Sequence, residues 1–362
     1  MQIEKKSLLL IISVVLIVVA IIYIQSTKLP VSRSSLSLAP ISGGQFPNAP
    51  EISGGTGFIN TNSSLSLSGL KGKVVLIDFW TYSCINCIRT LPYLKAWNEK
   101  YSDNGLVIIG VHTPEFDFEK VESNVRAAVS KFGIKYPVIM DNNYVIWNSY
   151  SNHYWPHIFL IDSTGKVRYD HIGEGNDVET EQQIQQLLKE AGNSSDVDLG
   201  NIVSSNIPFD SSMSQIATPE IYLGYNFARS QLGNLEGFSP ENTVSYTPAS
   251  QLVPNLVYLN GSWKNNPDNM ELVSDSGQVS LYYKAGKVHV VAGSENGSMI
   301  NVLLDDKKLN SSQIGADSSN NSSLTIRGLR LYTLVDGDDY SPHIIKFNVS
   351  GKGFRIYTFT FG

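Results

Sequence analysis

Residues 73–80 (KVVLIDFW) form an almost continuous apolar, β-branched run. It leads within seven residues to Cys84 and Cys87, the only cysteines in the 362-residue chain. Such a run has no polar face to offer water, so it predicts a strand covered on both sides. A covered strand needs helices around it. One is predicted over 84–101, with Leu91, Leu94 and Trp97 on one face and a kink at Pro92. Residues 105–111 (GLVIIGV) predict a second buried strand. Residues 119–132 predict an amphipathic helix with Val121, Val125, Val129 and Phe132 inward, capped by Gly133. Another strand is expected over 136–140, a hairpin over 157–170 around Ser163-Thr164-Gly165, and a last helix over 179–191. Strand, helix, strand, helix, hairpin, helix describes an α/β three-layer sandwich with a mixed sheet.

That topology places Cys84 at the start of a helix, where unpaired N–H groups and the positive end of the dipole favour thiolate. Cysteines so placed titrate from about 3.5 to 7.5, below the ordinary value of about 8.5. Cys87, one helical turn deeper, is spaced to attack a mixed disulfide formed at Cys84, which suits thiol–disulfide exchange. Three other readings stay open. A structural disulfide would close a loop too small to constrain the unfolded chain much. A zinc site would add His153 and His157, across far more chain than a compact finger uses and with Pro156 between them. Two inert thiols this close would oxidise in an oxidising compartment.

The chain's N-terminal end bears on the compartment. Lys5 and Lys6 precede an apolar stretch over 8–24, broken only by Ser13. Seventeen residues at ~1.5 Å each barely cross a ~30 Å hydrocarbon layer, and a secretory core is usually shorter, about 7–15 residues. An uncleaved transmembrane signal anchor over 1–28 is expected, with its N-terminus inside. Residues 29–50, rich in Ser, Pro and Gly, read as a tether. Residues 51–192 are the α/β domain, 193–217 a linker, and 218–362 an all-β domain. The Asn-x-Ser sequons, among them Asn260 and Asn348, permit an extracytoplasmic location. Net charge is −6 with an isoelectric point near 5.6, which gives a nucleic-acid partner no electrostatic support.

In the C-terminal domain short strands alternate with turn clusters, and 284–287 (KAGK) and 351–353 (GKG) read as hairpin turns. An antiparallel sandwich of jelly-roll type is expected. Most of its tyrosines and phenylalanines read as core, although exposed tyrosines could stack on sugars. No acid pair is placed for glycoside hydrolysis.

The segments LKGKVVLIDFWTYSCINCIRTLPYL, GLVIIGVHTPEF, YPVIMDNNYVIWNSYSNHYWPHIFLIDSTGKVR and the GEG at 173–175 resemble thioredoxin-fold proteins of the TlpA/ResA type, most closely the DipZ-like branch. TPEIYLGY and the terminal YTFTFG resemble the domain that follows the thioredoxin module in DipZ-like proteins, which looks like a carbohydrate-binding module. The resemblance implies a membrane-anchored, extracytoplasmic thiol–disulfide oxidoreductase. Cys84 would attack and Cys87 resolve, with no cofactor beyond their redox-active disulfide and no metal. It implies client protein disulfides or thiols as partners, and a separate membrane thiol transporter of the CcdA/DsbD kind as electron donor. A glycan is the candidate ligand of the C-terminal domain.

By the same resemblance Asp78 matches the buried acid that assists proton transfer to the second cysteine, and burial in so apolar a run should raise its pKa. Glu115 matches a glutamate near the active cysteines. Pro156 matches the cis-proline facing them, beside backbone that could pair with a client chain. Trp80 and Trp155 would wall the cysteines as a client-binding surface. Two positions depart from the pattern. Ile85-Asn86 is neither the Gly-Pro of reducing thioredoxins nor the Pro-His of strong oxidants, and Thr90 stands where ResA-like proteins have an acid. The alternatives are a peroxiredoxin-type thiol peroxidase, suggested by Thr81-x-x-Cys84 but with Ile77 in the proline position, and a non-catalytic glycan- or protein-binding scaffold.

Overall fold

A strand buried at every position needs a neighbour on each edge and cover on each face, and Val74–Trp80 has all four. The computed structural model describes residues 46–61, 65–192, 201–207, 214–319 and 322–362. The expected anchor, most of the tether and parts of the linker lie outside these residues. In chain order the first six strands are β1 (Gly57–Ile59), β2 (Val74–Trp80), β3 (Leu106–His112), β4 (Val138–Met140), β5 (His157–Ile161) and β6 (Val167–Ile172). They form one sheet in the order β1-β4-β3-β2-β5-β6. β2 runs parallel to β3 and antiparallel to β5, so the sheet is mixed.

The helices are α1 (Ile85–Tyr101), α2 (Glu122–Phe132), α3 (Val145–Ser149) and α4 (Asp177–Glu190). Alternation along β2 sends Val74, Leu76 and Trp80 into one core with Leu91, Leu94 and Trp97 of α1, Val125 and Val129 of α2, and Ile184, Leu187 and Leu188 of α4. Val75, Ile77 and Phe79 face the other way, onto Ile146 and Trp147 of α3 and onto Ile52 and Leu67 from the N-terminal segment. These are the three layers the pattern predicts.

Two stretches differ from expectation. The helix expected over 119–132 is split: a 3-10 turn covers Asp117–Lys120 and α2 starts only at Glu122. Glu119 accepts the backbone N–H groups of Glu115 and Phe116, which holds the turn, and Val121 between the two pieces is extended and exposed rather than inward. The short helix α3 has no strong apolar period. It is started by Asp141, whose carboxylate accepts the N–H groups of Ile146 and Trp147.

The remaining strands are β7 (Ile221–Tyr222), β8 (Thr243–Tyr246), β9 (Val257–Asn265), β10 (Met270–Leu272), β11 (Ser276–Lys284), β12 (Lys287–Gly293), β13 (Ser298–Leu304), β14 (Lys307–Lys308), β15 (Ser323–Ile326), β16 (Arg330–Asp336), β17 (Pro342–Ser350) and β18 (Arg355–Phe361). Every pairing among them is antiparallel. β11 lies between β9 and β17, whereas β12 lies between β16 and β18. The turns at 284–287 and 351–353 are therefore not hairpins. Each carries the chain from one layer to the other, because β11 does not pair with β12, nor β17 with β18. Phe347 of one layer meets Phe359 of the other, with ring centroids 6.0 Å apart. Tyr246, Tyr258, Tyr283, Tyr332 and Tyr357 are buried, as the core reading of the aromatics expects.

The α/β and all-β parts share a core. Tyr222, Val291 and Tyr357 pack into the same cluster as α1 and β2. Phe118 stands edge-on to Tyr357 at 4.9 Å, and Phe116 meets Tyr357 at 5.2 Å and Phe227 at 5.7 Å. Within the described part of the expected linker, Glu181 accepts the N–H groups of Val203 and Ser204, and Trp97 Nε1 donates to Ser204 Oγ at 2.9 Å. That stretch is fastened to α1 and α4.

Candidate active site

β2 delivers the chain to a short loop, and α1 begins directly after Cys84. Cys84 is the N-cap, with extended backbone, and its sulfur accepts the Cys87 N–H at 3.2 Å. The two Sγ atoms lie 2.6 Å apart as thiols. Cys84 keeps some exposure, whereas Cys87 is wholly buried. Cys84 thus stands at the helix start and Cys87 within its first turn, where the spacing predicts them.

The ionisation of Cys84 departs from expectation. Its pKa is raised, not lowered. Burial opposes the thiolate, the hydrogen bonds with Cys87 only partly offset that, and the carboxylates of Glu220 and Glu115 add to it. Cys87 is pushed up further, chiefly by burial and by its bond to Cys84.

Asp78 sits in the same row of β2 as Trp80, opposite Gly110 of β3 and Ile158 of β5. It is fully buried, and neither carboxylate oxygen has a hydrogen-bond partner among the described residues. Burial raises its pKa to about 7, and its charge acts on Cys87. Gly110 leaves the room that Trp80 needs: a Cβ there would stand 2.8 Å from Trp80 Nε1. Trp80 has no exposed surface. It is therefore core packing in the cluster that also holds Cys87, in T-shaped contact with His112, and cannot be the client-binding wall expected of it.

Glu119 is the residue sequence reasoning missed. It is fully buried and accepts from Ser83 Oγ at 2.5 Å, from the Glu115 N–H at 2.6 Å and from the Phe116 N–H at 3.0 Å. One carboxylate so ties the loop before Cys84 to the loop after β3. Its partner Ser83 is far off in sequence, so no local signal marks it. Glu115 accepts from the Tyr222 hydroxyl at 2.6 Å. Burial and the neighbouring Glu119 raise its pKa to about 8, against the opposing effects of Tyr222 and Arg229.

On the other side the Trp155–Pro156 bond is cis. Pro156 directly precedes β5, whose His157 is paired with Phe79, so it lies at the cysteine end of the sheet. Its carbonyl already accepts from the Gly173 N–H at 2.8 Å. Trp155 is half-buried, donates from Nε1 to the Thr113 carbonyl at 3.1 Å and packs on Trp147 at 4.2 Å. It belongs to the fringe of the core that also holds Cys84. The zinc reading loses its histidine, because both ring nitrogens of His157 are engaged, by Asn152 at 2.8 Å and Asp170 at 3.0 Å. The Thr81 hydroxyl of the peroxidase reading pairs with His112 at 3.3 Å. Arg89, two residues beyond Cys87, reaches Glu174 of the 173–175 GEG and donates to the carbonyl of Phe361.

A family model described as Redoxin matches residues 43–188, and one described as thioredoxin-like C-terminal domain matches 218–362. The chain is 36% identical over 317 residues to protein DipZ of Mycobacterium bovis and of Mycobacterium tuberculosis, covering 87% of this chain and 43% of theirs. It therefore spans less than half the length of these relatives. It is 34% identical over 125 residues to thiol-disulfide oxidoreductase ResA of Bacillus anthracis, covering 34% of this chain and 67% of that one. Among solved structures, a thiol-disulfide isomerase from Corynebacterium glutamicum aligns over 39% of this chain and 97% of its own, at 23% identity and a TM-score of 0.35.

Proposed function

The chain belongs to the DipZ-like thioredoxin-fold family, and we propose on that footing that it is a thiol–disulfide oxidoreductase acting on client proteins outside the cytoplasm. The observation that carries the reading is the cysteine pair itself: a part-exposed Cys84 at a helix start with buried Cys87 2.6 Å behind it. In the reductive direction the Cys84 thiolate attacks one sulfur of a client disulfide. The other client sulfur leaves as a thiolate and takes up a proton. Cys87 then gives its proton to the Asp78 carboxylate and attacks Cys84 Sγ, so the bond from Cys84 to the client breaks and the second client sulfur leaves as a thiolate, which takes up a proton in turn. Two electrons pass to the client, and the Cys84–Cys87 disulfide, with no other cofactor, is what remains to be re-reduced.

The raised pKa values of both thiols support that direction, because strong oxidants of this type owe their potential to a stabilised reduced form. The electron donor is a membrane thiol transporter of the CcdA/DsbD kind. Residues 1–28 anchor the chain and 29–50 tether it, with both domains on the extracytoplasmic side. The wholly antiparallel pairing, with β11 set apart from β12 and β17 from β18, supports a jelly-roll-like C-terminal domain for contact with protein or glycan.

The reduced full chain should reduce a model protein disulfide, and Cys84→Ser should abolish this; turnover that survives the substitution overturns the proposal. The potential of the couple should lie closer to about −270 mV than to about −120 mV.

A further inference from the structure

The all-β domain contributes side chains to the cysteine site. The Tyr222 hydroxyl donates to Glu115 Oε1 at 2.6 Å and lies 3.4 Å from Glu220 Oε2. The Arg229 guanidinium stands over the Tyr222 ring, 5.0 Å from its centroid. Tyr222 is itself held firmly: its backbone pairs with Thr358 in β18, and its ring is buried between Phe116 and Phe227. Nothing in such an arrangement suggests a loosely appended module.

We infer that Glu220, Tyr222 and Arg229 are positioning residues of the redox site which, through Glu115, set how readily Cys84 ionises. The inference deepens the oxidoreductase reading and rests on it for its purpose. The groups that face one another can be named. Cys84 meets Cys87 from α1 and lies in the field of Glu115 from the loop after β3 and of Glu220 from the all-β domain. Glu115 faces Glu119 from its own loop and Tyr222, Glu220 and Arg229 from the all-β domain. Tyr144, at the start of α3, also lies in the field of Glu115 and Glu119.

The signs follow from these contacts. Tyr222 donates to the ionised form of Glu115 and holds its pKa down. Removing that hydroxyl lets Glu115 keep its proton to higher pH. Over that range Cys84 faces one negative charge fewer and ionises more easily. Glu220 opposes Cys84 directly and also holds Glu115 up, so neutralising it favours the thiolate as well.

The test is the pH profile of Cys84 alkylation by iodoacetamide in the reduced full chain, read by mass spectrometry. Tyr222→Phe should speed alkylation about threefold near pH 8, the equivalent of about half a pKa unit. The gain should vanish below pH 6, where Glu115 is protonated in either case, and it should be absent in a Glu115→Gln background. Glu220→Gln should also speed the reaction at pH 8, and it should keep part of that effect in Glu115→Gln. Two results overturn the inference: profiles unchanged by both substitutions, or a Tyr222→Phe gain that is equal at every pH and survives Glu115→Gln, which marks mere loosening. Loss of disulfide turnover in the unsubstituted chain removes the oxidoreductase reading alone, since the alkylation profile does not depend on turnover.

Discussion

Replacing Asp78 by asparagine should remove a pH dependence from the stability of the folded chain. Below pH 3.8, its ordinary value, the carboxyl is protonated whether the chain is folded or not. Between there and about 7 the unfolded chain has released this proton and the folded chain still holds it. The folded state then binds more protons, so stability is highest below the unfolded value and falls as pH rises toward the folded one. At 1.36 kcal/mol per tenfold change in proton affinity, the loss by neutral pH is about 4 kcal/mol. Asparagine has nearly the same shape and no charge to bury. Its amide replaces a carboxyl equally without partners, so at pH 4 the two proteins should agree within about 1 kcal/mol. At pH 8 the variant should be more stable by roughly 3 kcal/mol, a shift of about 1 M in the urea midpoint. The assay is urea unfolding of both proteins from pH 4 to 8, with the thiols kept reduced. Glu115, Glu174 and Asp177 are also raised, to about 8, 7 and 6, and tilt both curves alike, so the difference isolates Asp78. Two parallel curves would refute the reasoning, since they would mean that Asp78 meets a compensating group when ionised.

Other substitutions probe the support around the pair. Gly110→Ala places a Cβ 2.8 Å from Trp80 Nε1 and 3.4 Å from the Tyr136 ring, and should cost about 1–3 kcal/mol by overpacking; a melting temperature equal to the parent's would count against that close approach. Glu119→Gln turns an amide N–H₂ toward donors that now share one carboxylate. A loss of about 2–4 kcal/mol in urea unfolding is expected, with slower disulfide turnover as the Ser83 loop loosens. Unchanged stability would show that Ser83 and the 115–116 backbone find other acceptors.

What the sequence discloses is what is decided locally. The run over 73–80 and the helix after Cys84 emerge as β2 and α1 because composition, period and cap all lie within a few residues of one another. The 119–132 segment misleads because its apolar spacing continues through Val121, while the hydrogen bonds that break the helix come from Glu119 reaching back to Glu115 and Phe116. The turns at 284–287 and 351–353 carry reversal chemistry, but which strand pairs with which is a long-range choice, and here both turns switch layers. Trp80 and Trp155 look alike as aromatics flanking the site; only the approach of Gly110 and the Thr113 carbonyl separates the buried one from the half-buried one.

The cysteine site shows the same division in energetic terms. A helix N-terminus stabilises a neighbouring anion by about 0.3–1 kcal/mol, rising to ~2 kcal/mol when partly buried. Burial opposes the Cys84 thiolate most, and the neighbouring carboxylates add a smaller opposition. In favour of the Cys84 thiolate stand the helix start and the Cys87 N–H; against it stand burial and, to a smaller degree, the charges of Glu220 and Glu115. Burial outweighs the local hydrogen bonds, so the thiol is raised although its place in the helix favours ionisation. Only the favourable half of that balance is written next to the cysteines. The packing that buries the pair comes from residues distant in sequence, and Glu115, beyond a strand, and Glu220, in another domain, add to it.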